Sequence, residues 1–264
     1  MKNHPAKLER LPGEIRNKIY SYVFGTQRVE ISRYMDETTC NHYHLTHKLL
    51  APRDPETQNL TSLPYRSGKI QTQLSVPFVS TLLYRDTLCL LYDCTQFVFV
   101  SSKCVKRFLD RVPERVQAVI KHVELRHTMY NEPSLLRHRE LKIRSDKNWY
   151  LLCERISSDL RALRVVHVDM MVFDAAVGLN VGESWSLPLL ALGRVGGGRS
   201  RELQFVKVRL RSSRFEDEKL REVEMQLEKE MTNPVAMQIR EDERFAMELA
   251  GSERAGKVLR LVFD

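Results

Sequence analysis

Three short stretches decide the fold of this chain: HVELR (122–126), VVHVDM (165–170) and LQFVKVRL (203–210). Each is rich in β-branched and apolar residues, which favour strands. Between them lie residues 145–163 and 184–195, whose apolar residues recur at helical spacing. Strands that alternate with helices in this way are typical of β–α–β units on a parallel sheet.

The spacing of the three strands is nearly regular. Val123 precedes Val166 by 43 residues, and Val166 precedes Val206 by 40. A period near 40 also indicates irregular, leucine-rich-like repeats. We therefore predict an α/β fold, with an α+β fold as the alternative.

The rest of the chain extends this pattern in both directions. A helix (8–25) and a strand, RVEISRY (28–34), come first, and an apolar helix (74–93) leads into the strand TQFVFVS (95–101). The last quarter predicts a pair of charged helices, of which the first spans 215–231, and a final strand, KVLRLVF. We predict three regions that form one continuous domain: 1–100 with a β insertion, 101–212 as the α/β body, and 213–264 as the C-terminal helices and strand.

The first helix, within LERLPGEIRNKIYSYVFG, has a clear start and end. Pro12 suits its first position, Glu14 complements the helix dipole in the first turn, and Gly25 is a typical stop. Apolar residues recur three and four positions apart and share one face. They are Leu11, Ile15, Ile19, Tyr22 and Val23.

Charge is unevenly distributed along the 264 residues. The net charge is +8, and residues 101–200 alone carry 17 basic and 11 acidic side chains. The patch of Arg137, Arg139, Lys142, Arg144 and Lys147 would attract phosphates or an acidic protein face. The alternative is a solvated loop in a mildly basic protein.

Targeting signals are not evident. No apolar run reaches the roughly 20 residues of a membrane span, and the start, MKNHPAKLERLPGEIR, lacks the apolar core of a signal peptide. We expect a protein of the cytoplasm or nucleus that does not bind membranes.

One cluster has the composition of a metal site. In CNHYHLTH, Cys40, His42 and His44 would point the same way on a strand, with His47 nearby. Zinc sites normally take a second pair of ligands from elsewhere, and no such pair is evident. The alternative is a polar strand with surface histidines, and we predict no metal and no cofactor.

Catalytic patterns are incomplete. Gly196, Gly197 and Gly198 lack the Lys-Ser/Thr of a phosphate-binding loop. GESWS has Ser186 where the serine elbow, which would centre on Ser184, needs its second glycine. We predict that the protein is not an enzyme.

The first helix also carries a resemblance. LPGEIRNKIYSYVFG resembles the opening helix of F-box and F-box-like domains. Its Glu-Ile-Arg-Asn-x-Ile-Tyr form is similar to a set of filamentous-fungal proteins of unknown function. The later Leu91-Tyr92 pair and the strand TQFVF match that set, whereas Ser80-Thr81-Leu82-Leu83-Tyr84 replaces its Cys-Arg-Gln-Ile-Tyr segment.

The resemblance implies a non-enzymatic interaction protein. In F-box proteins the first helix docks on the linker subunit of a cullin–RING ubiquitin ligase, and the C-terminal body holds a protein substrate. Carried over, this assigns partner binding to Leu11, Pro12, Ile15, Ile19, Tyr22 and Val23. F-box domains pack their helices within one contiguous stretch, whereas the second helix here follows a long insertion.

Two alternatives to partner docking remain open. The apolar stripe of the first helix would equally suit packing on the domain's own second helix. The basic middle third would suit a nucleic-acid-associated protein whose affinity falls steeply with salt.

Overall fold

The computed structural model confirms the α/β fold. It describes residues 8–35, 43–54, 57–60, 81–129, 136–173, 178–193 and 203–232. None of the helices within these ranges is both long enough and apolar enough to cross a bilayer.

A six-stranded mixed sheet is the frame of the molecule. Its strands are β1 (Gln27–Met35), β2 (Tyr43–Leu50), β3 (Thr95–Phe99), β4 (His122–Thr128), β5 (Val165–Met171) and β6 (Phe205–Arg211). Their order across the sheet is β2-β1-β3-β4-β5-β6. β1 pairs with β2 in antiparallel fashion, and every other pair is parallel.

The valines whose spacing predicted the repeat are also paired in the register of the sheet. Val123 pairs with Val166, and Val166 pairs with Val206, so the three valines form one row across β4, β5 and β6. Val29 and Phe97 continue the same row through β1 and β3. Each unit of about 40 residues therefore places its strand beside the preceding one.

Seven α-helices are described around this sheet, after a 3-10 turn at Leu8–Arg10. They are α1 (Gly13–Phe24), α2 (Thr81–Asp93), α3 (Ser102–Leu109), α4 (Glu114–Gln117), α5 (Leu136–Asp159), α6 (Leu187–Gly193) and α7 (Asp217–Met231). The predicted second helix of the C-terminal pair and the final strand lie outside the described residues, as does the glycine run at 196–198.

The hydrophobic core lies on one face of the sheet. Alternate strand residues such as Phe97, Val123 and Val166 belong to one buried cluster together with side chains of α3, α5, α6 and α7. The Phe108 ring of α3 lies 5.1 Å from that of Phe97, which fixes this helix on the sheet. The intervening strand residues point to the opposite face and are mostly polar.

Two predicted helix boundaries need correction. α5 begins at Leu136 rather than at 145, so the basic stretch at 137–147 is helical and not a loop. Apolar periodicity is weak there, and an i,i+4 ion pair of 2.7 Å between Lys142 Nζ and Asp146 Oδ2 supports the helix instead. Pro12 is the N-cap of α1 and not its first helical residue, which is Gly13.

One outer edge of the sheet is closed by carboxylates. α7 runs beside β6, where the Val208 N–H donates to Glu228 Oε1 at 3.0 Å and the Leu210 N–H donates to Glu224 Oε1 at 2.6 Å. Lys207 Nζ lies 2.9 Å from the same Glu228 oxygen. These contacts satisfy backbone donors that an edge strand would otherwise leave open for pairing.

Because Glu228 is only 3% exposed and accepts from the backbone of β6, its replacement should destabilise the protein. Glu228→Ala leaves the Val208 N–H buried without an acceptor, and we expect a loss of about 1–3 kcal/mol in the free energy of unfolding. Glu228→Gln keeps an acceptor oxygen and should lose less. Urea denaturation measures both, with the exposed Glu222→Ala as the control. Equal midpoints for Glu228→Ala and Glu222→Ala would contradict this role.

Candidate functional site

The first helix exposes most of its predicted apolar stripe. Ile15 is 47% exposed, Ile19 is 36% exposed and Tyr22 is 79% exposed. Their i, i+4, i+7 spacing places all three on one face of α1. Pro12 is also exposed, while Leu11 and Val23 are half-buried.

Other residues attach α1 to the domain. Tyr20 and Phe24 are buried, and their rings lie 6.5 Å apart. Arg16 Nη2 donates to Asp86 Oδ2 of α2 at 2.8 Å. Packing on the second helix therefore does not cover Ile15, Ile19 or Tyr22, and these three form an exposed apolar surface, which we call the α1 face.

The structure brings α1 and α2 together across the insertion. Besides its contact with Asp86, Arg16 donates from Nη1 to the Leu11 carbonyl oxygen at 3.1 Å, which ties the start of the helix to the same contact. Thr87 of α2 is fully buried.

A second constellation lies on the polar face of the sheet, and sequence reasoning missed it. Arg28 of β1 donates from Nε and Nη2 to the two carboxylate oxygens of Glu124 on β4, each at 2.7 Å. Arg53 approaches the same carboxylate from the loop after β2, with its Nε 2.9 Å from Oε1. Glu124 is thus held between two guanidinium groups.

Neighbouring side chains complete this ionic cluster. The side chain of Gln96 accepts from the Arg53 N–H at 2.8 Å and donates to the Arg53 carbonyl oxygen at 2.9 Å. The rings of His122 and His167 stack with centroids 5.2 Å apart. All of these except Arg53 are more than nine-tenths buried. The sequence signal for the cluster is a polar residue inside each apolar strand.

The electrostatics of the cluster follow from burial and pairing. Burial alone would raise the pKa of Glu124, but His122, Arg28 and Arg53 outweigh it and hold that pKa well below its usual range. Burial lowers the pKa of His167 to about 3, and it also lowers the pKa of His122. The cluster therefore holds an ionised carboxylate and two neutral imidazoles at neutral pH.

The cysteine–histidine candidate does not form a metal site with its described members. Cys40 and His42 lie outside the described residues. His44 pairs with Tyr34 and His47 with Ile31, three positions apart on β2, so the two imidazoles point to opposite faces. Within the described ranges, no group of three or more potential ligands is arranged around one metal position.

The other sequence candidates also have definite places. Ser186 is buried and accepts from the Gly182 N–H at 2.9 Å, so it fixes the turn before α6. Of the basic patch, Arg139, Arg144 and Lys147 are exposed on α5, whereas Lys142 is buried beside Asp146. The side chain of Arg137 is not among those that the structure describes.

Together, these features define an α/β protein with a one-sided core, a buried ionic cluster and an exposed apolar helix face. A family model described as a domain of unknown function, DUF7730, matches residues 2–187. The chain belongs to this family. No curated protein and no solved structure matches the chain.

Glu124 should contribute strongly to stability, because its removal leaves Arg28 buried without its partner. For Glu124→Leu we expect a loss of about 3–5 kcal/mol in the free energy of unfolding. Glu30→Gln is the control, since its 3.0 Å contact with Arg126 is partly exposed and should contribute about 0–1 kcal/mol. Urea denaturation at pH 7.5 distinguishes the two, and a Glu124→Leu variant as stable as Glu30→Gln would refute the role.

Two histidines whose pKa values are lowered, His127 and His167, predict a dependence of stability on pH. Burial lowers the pKa of His127, which stacks on Trp149 at 4.1 Å, to about 4, and that of His167 to about 3. The unfolded chain, with histidine pKa values near 6.5, takes up these protons first as the pH falls. The contribution of these histidines to the free energy of unfolding is therefore fully present above pH 6.5. Below that pH it falls by up to about 1.4 kcal/mol per pH unit for each histidine.

Denaturation midpoints between pH 7.5 and pH 5 test this dependence. Glu124 adds nothing in this window, because its stabilisation is lost only below the ordinary carboxyl pKa of 4.5. The groups that face His167 are His122, Glu124, Arg28 and Arg53. His127→Gln and His167→Gln should each flatten the profile, and an unchanged slope in both variants would contradict the assignment.

Proposed function

We propose that this protein is a non-enzymatic, F-box-like interaction protein that docks through the α1 face on the linker subunit of a cullin–RING ubiquitin ligase. The observation that carries the proposal is the exposure of Ile15, Ile19 and Tyr22 on a helix that is attached to its own domain by other residues. A folded domain gains nothing by keeping three large apolar side chains together in water, so a partner surface explains them better than core packing does.

The pairing of α1 with α2 supports the same proposal. An F-box-like docking surface needs more than one helix, and the long insertion between the two helices would be an obstacle if it held them apart. The 2.8 Å contact between Arg16 and Asp86 bridges them instead. The finer family assignment, to fungal F-box-like proteins, rests on the sequence of α1 and on the Leu91-Tyr92 and TQFVF segments.

In this proposal the α/β body holds a protein substrate. Parallel strands β3 to β6 follow one another across the sheet, with the helices between them packed in the core on one face. Such an arrangement leaves the other face of the sheet free of those helices.

Leu11 and Pro12 contribute at the start of the α1 face, and the half-buried Val23 lies near its end.

Binding to the purified linker subunit tests the docking surface. In an Ile15→Asp, Ile19→Asp double variant, two charges replace exposed apolar contacts, and we expect at least tenfold weaker binding than for wild type. Each tenfold loss of affinity corresponds to about 1.4 kcal/mol of binding free energy. Biolayer interferometry with the immobilised linker subunit measures the difference.

The matched control is Ile143→Asp on α5, where the isoleucine is 60% exposed. It makes the same change away from α1 and should bind like wild type. Thermal unfolding of all variants checks that they remain folded. The adaptor proposal fails if folded wild-type protein does not bind the linker subunit, or if the double variant binds it equally well.

A further inference from the structure

A concavity lined by arginines lies away from both the α1 face and the ionic cluster. A cavity of about 760 Å³ opens between the turn that joins α3 to α4 and the C-terminal end of α5. We call it the arginine pocket, because Arg111 and Arg115 line one wall, and Arg155 and Arg161 line the other. Its volume is that of a typical small-molecule site.

Three of the four arginines are available to a ligand. Within the described residues, the guanidinium groups of Arg111, Arg115 and Arg161 form no ion pair, and all three residues are exposed. Arg155 differs, since its Nη1 lies 2.5 Å from Asp110 Oδ1 and its Nε lies 3.0 Å from Asp159 Oδ2. It neutralises the two aspartates of the pocket and joins its two walls.

The pocket is also built on a fixed frame. Gln117 is 4% exposed, and its Nε2 donates to the carbonyl oxygens of Leu109 at 2.7 Å and Val112 at 2.6 Å. These bonds hold the turn that carries Arg111. Leu160 and Leu163, which flank Arg161, are buried in the core. A ligand would therefore bind without first ordering either wall.

Charge and composition indicate the class of ligand. The wall segment 102–118 carries five basic and two acidic side chains, and the segment 155–164 carries three basic and one acidic. Guanidinium groups match the geometry of phosphate oxygens. No aromatic side chain lines the pocket, so it offers no platform for stacking a nucleobase.

We propose that the arginine pocket binds a small molecule that carries phosphate groups, with Arg111, Arg115 and Arg161 as the phosphate ligands. Arg155 shapes the pocket through its two aspartates and does not itself bind the ligand. This site is independent of docking through α1. It also assigns a specific ligand to part of the basic region 101–200, whereas a solvated basic surface would have none.

Isothermal titration calorimetry with sodium pyrophosphate tests the site at low salt. We expect saturable binding of one pyrophosphate per chain. Arg111→Gln and Arg161→Gln, which change opposite walls, should each weaken it about tenfold. Arg221→Gln, an exposed arginine on α7, makes the same charge change elsewhere and should leave the affinity unchanged.

Two further probes distinguish other anions from phosphate. Citrate should bind at least tenfold more weakly than pyrophosphate, because its carboxylates do not have phosphate geometry. A ten-nucleotide RNA should not compete for the pocket. The proposal is overturned by the absence of saturable pyrophosphate binding, by equal affinity for citrate, by an equal loss in Arg221→Gln, or by tighter RNA binding that the pocket substitutions also weaken.

Discussion

The carboxylate of Glu124, held between Arg28 and Arg53, is the interaction on which the arrangement of the N-terminal half depends. It joins β4 at the centre of the sheet to β1, and it draws the segment after β2 onto the polar face. A buried carboxylate without such partners would cost several kcal/mol. The ion pairs therefore specify which strand and which segment meet at this point, as apolar side chains could not.

The need for this cluster follows from the one-sided core. In β3, β4 and β5, one set of alternate residues packs under the helices, and the other set faces away from them. Where that second face remains open, ordinary surface charges suffice, as with Asp169 and Arg211, which form an ion pair at the exposed end of β5 and β6. Where the loop after β2 covers it, buried polar groups need partners. Arg28 pairs with Glu124, and both Gln96 and Glu124 bond to Arg53 of the loop.

These two kinds of interaction explain how far the sequence predicts the structure. The apolar row of Val123, Val166 and Val206 was predictable because it rests on local periodicity and regular spacing. The cluster was not, because Arg28 and Glu124 are 96 positions apart and meet only once the sheet order is known. The early start of α5 was missed for a related reason, since the ion pair between Lys142 and Asp146, rather than an apolar stripe, supports this part of the helix.

The candidate site shows the same limit in a different form. Its residues were identified from the sequence of α1, but their exposure depends on which side of the helix the domain covers. Both sides are apolar, and periodicity alone could not choose between Tyr20 with Phe24 and Ile15 with Ile19. The larger aromatic pair fills the core, and the contact between Arg16 and Asp86 fixes the rotation of the helix.

The junction between α1 and β1 gives the α1 face a fixed orientation. Gly25 ends the helix with a positive φ of 55°, a conformation that glycine adopts readily, and its N–H donates to the Ser21 carbonyl oxygen at 3.0 Å. Gln27 then starts β1, and its Nε2 donates back to the Phe24 carbonyl oxygen at 3.0 Å. Because β1 lies between β2 and β3 in the sheet, a partner bound to α1 would be held at a set angle to the α/β body. A rigid connection of this kind would serve the proposed adaptor role, in which one bound partner is positioned relative to another.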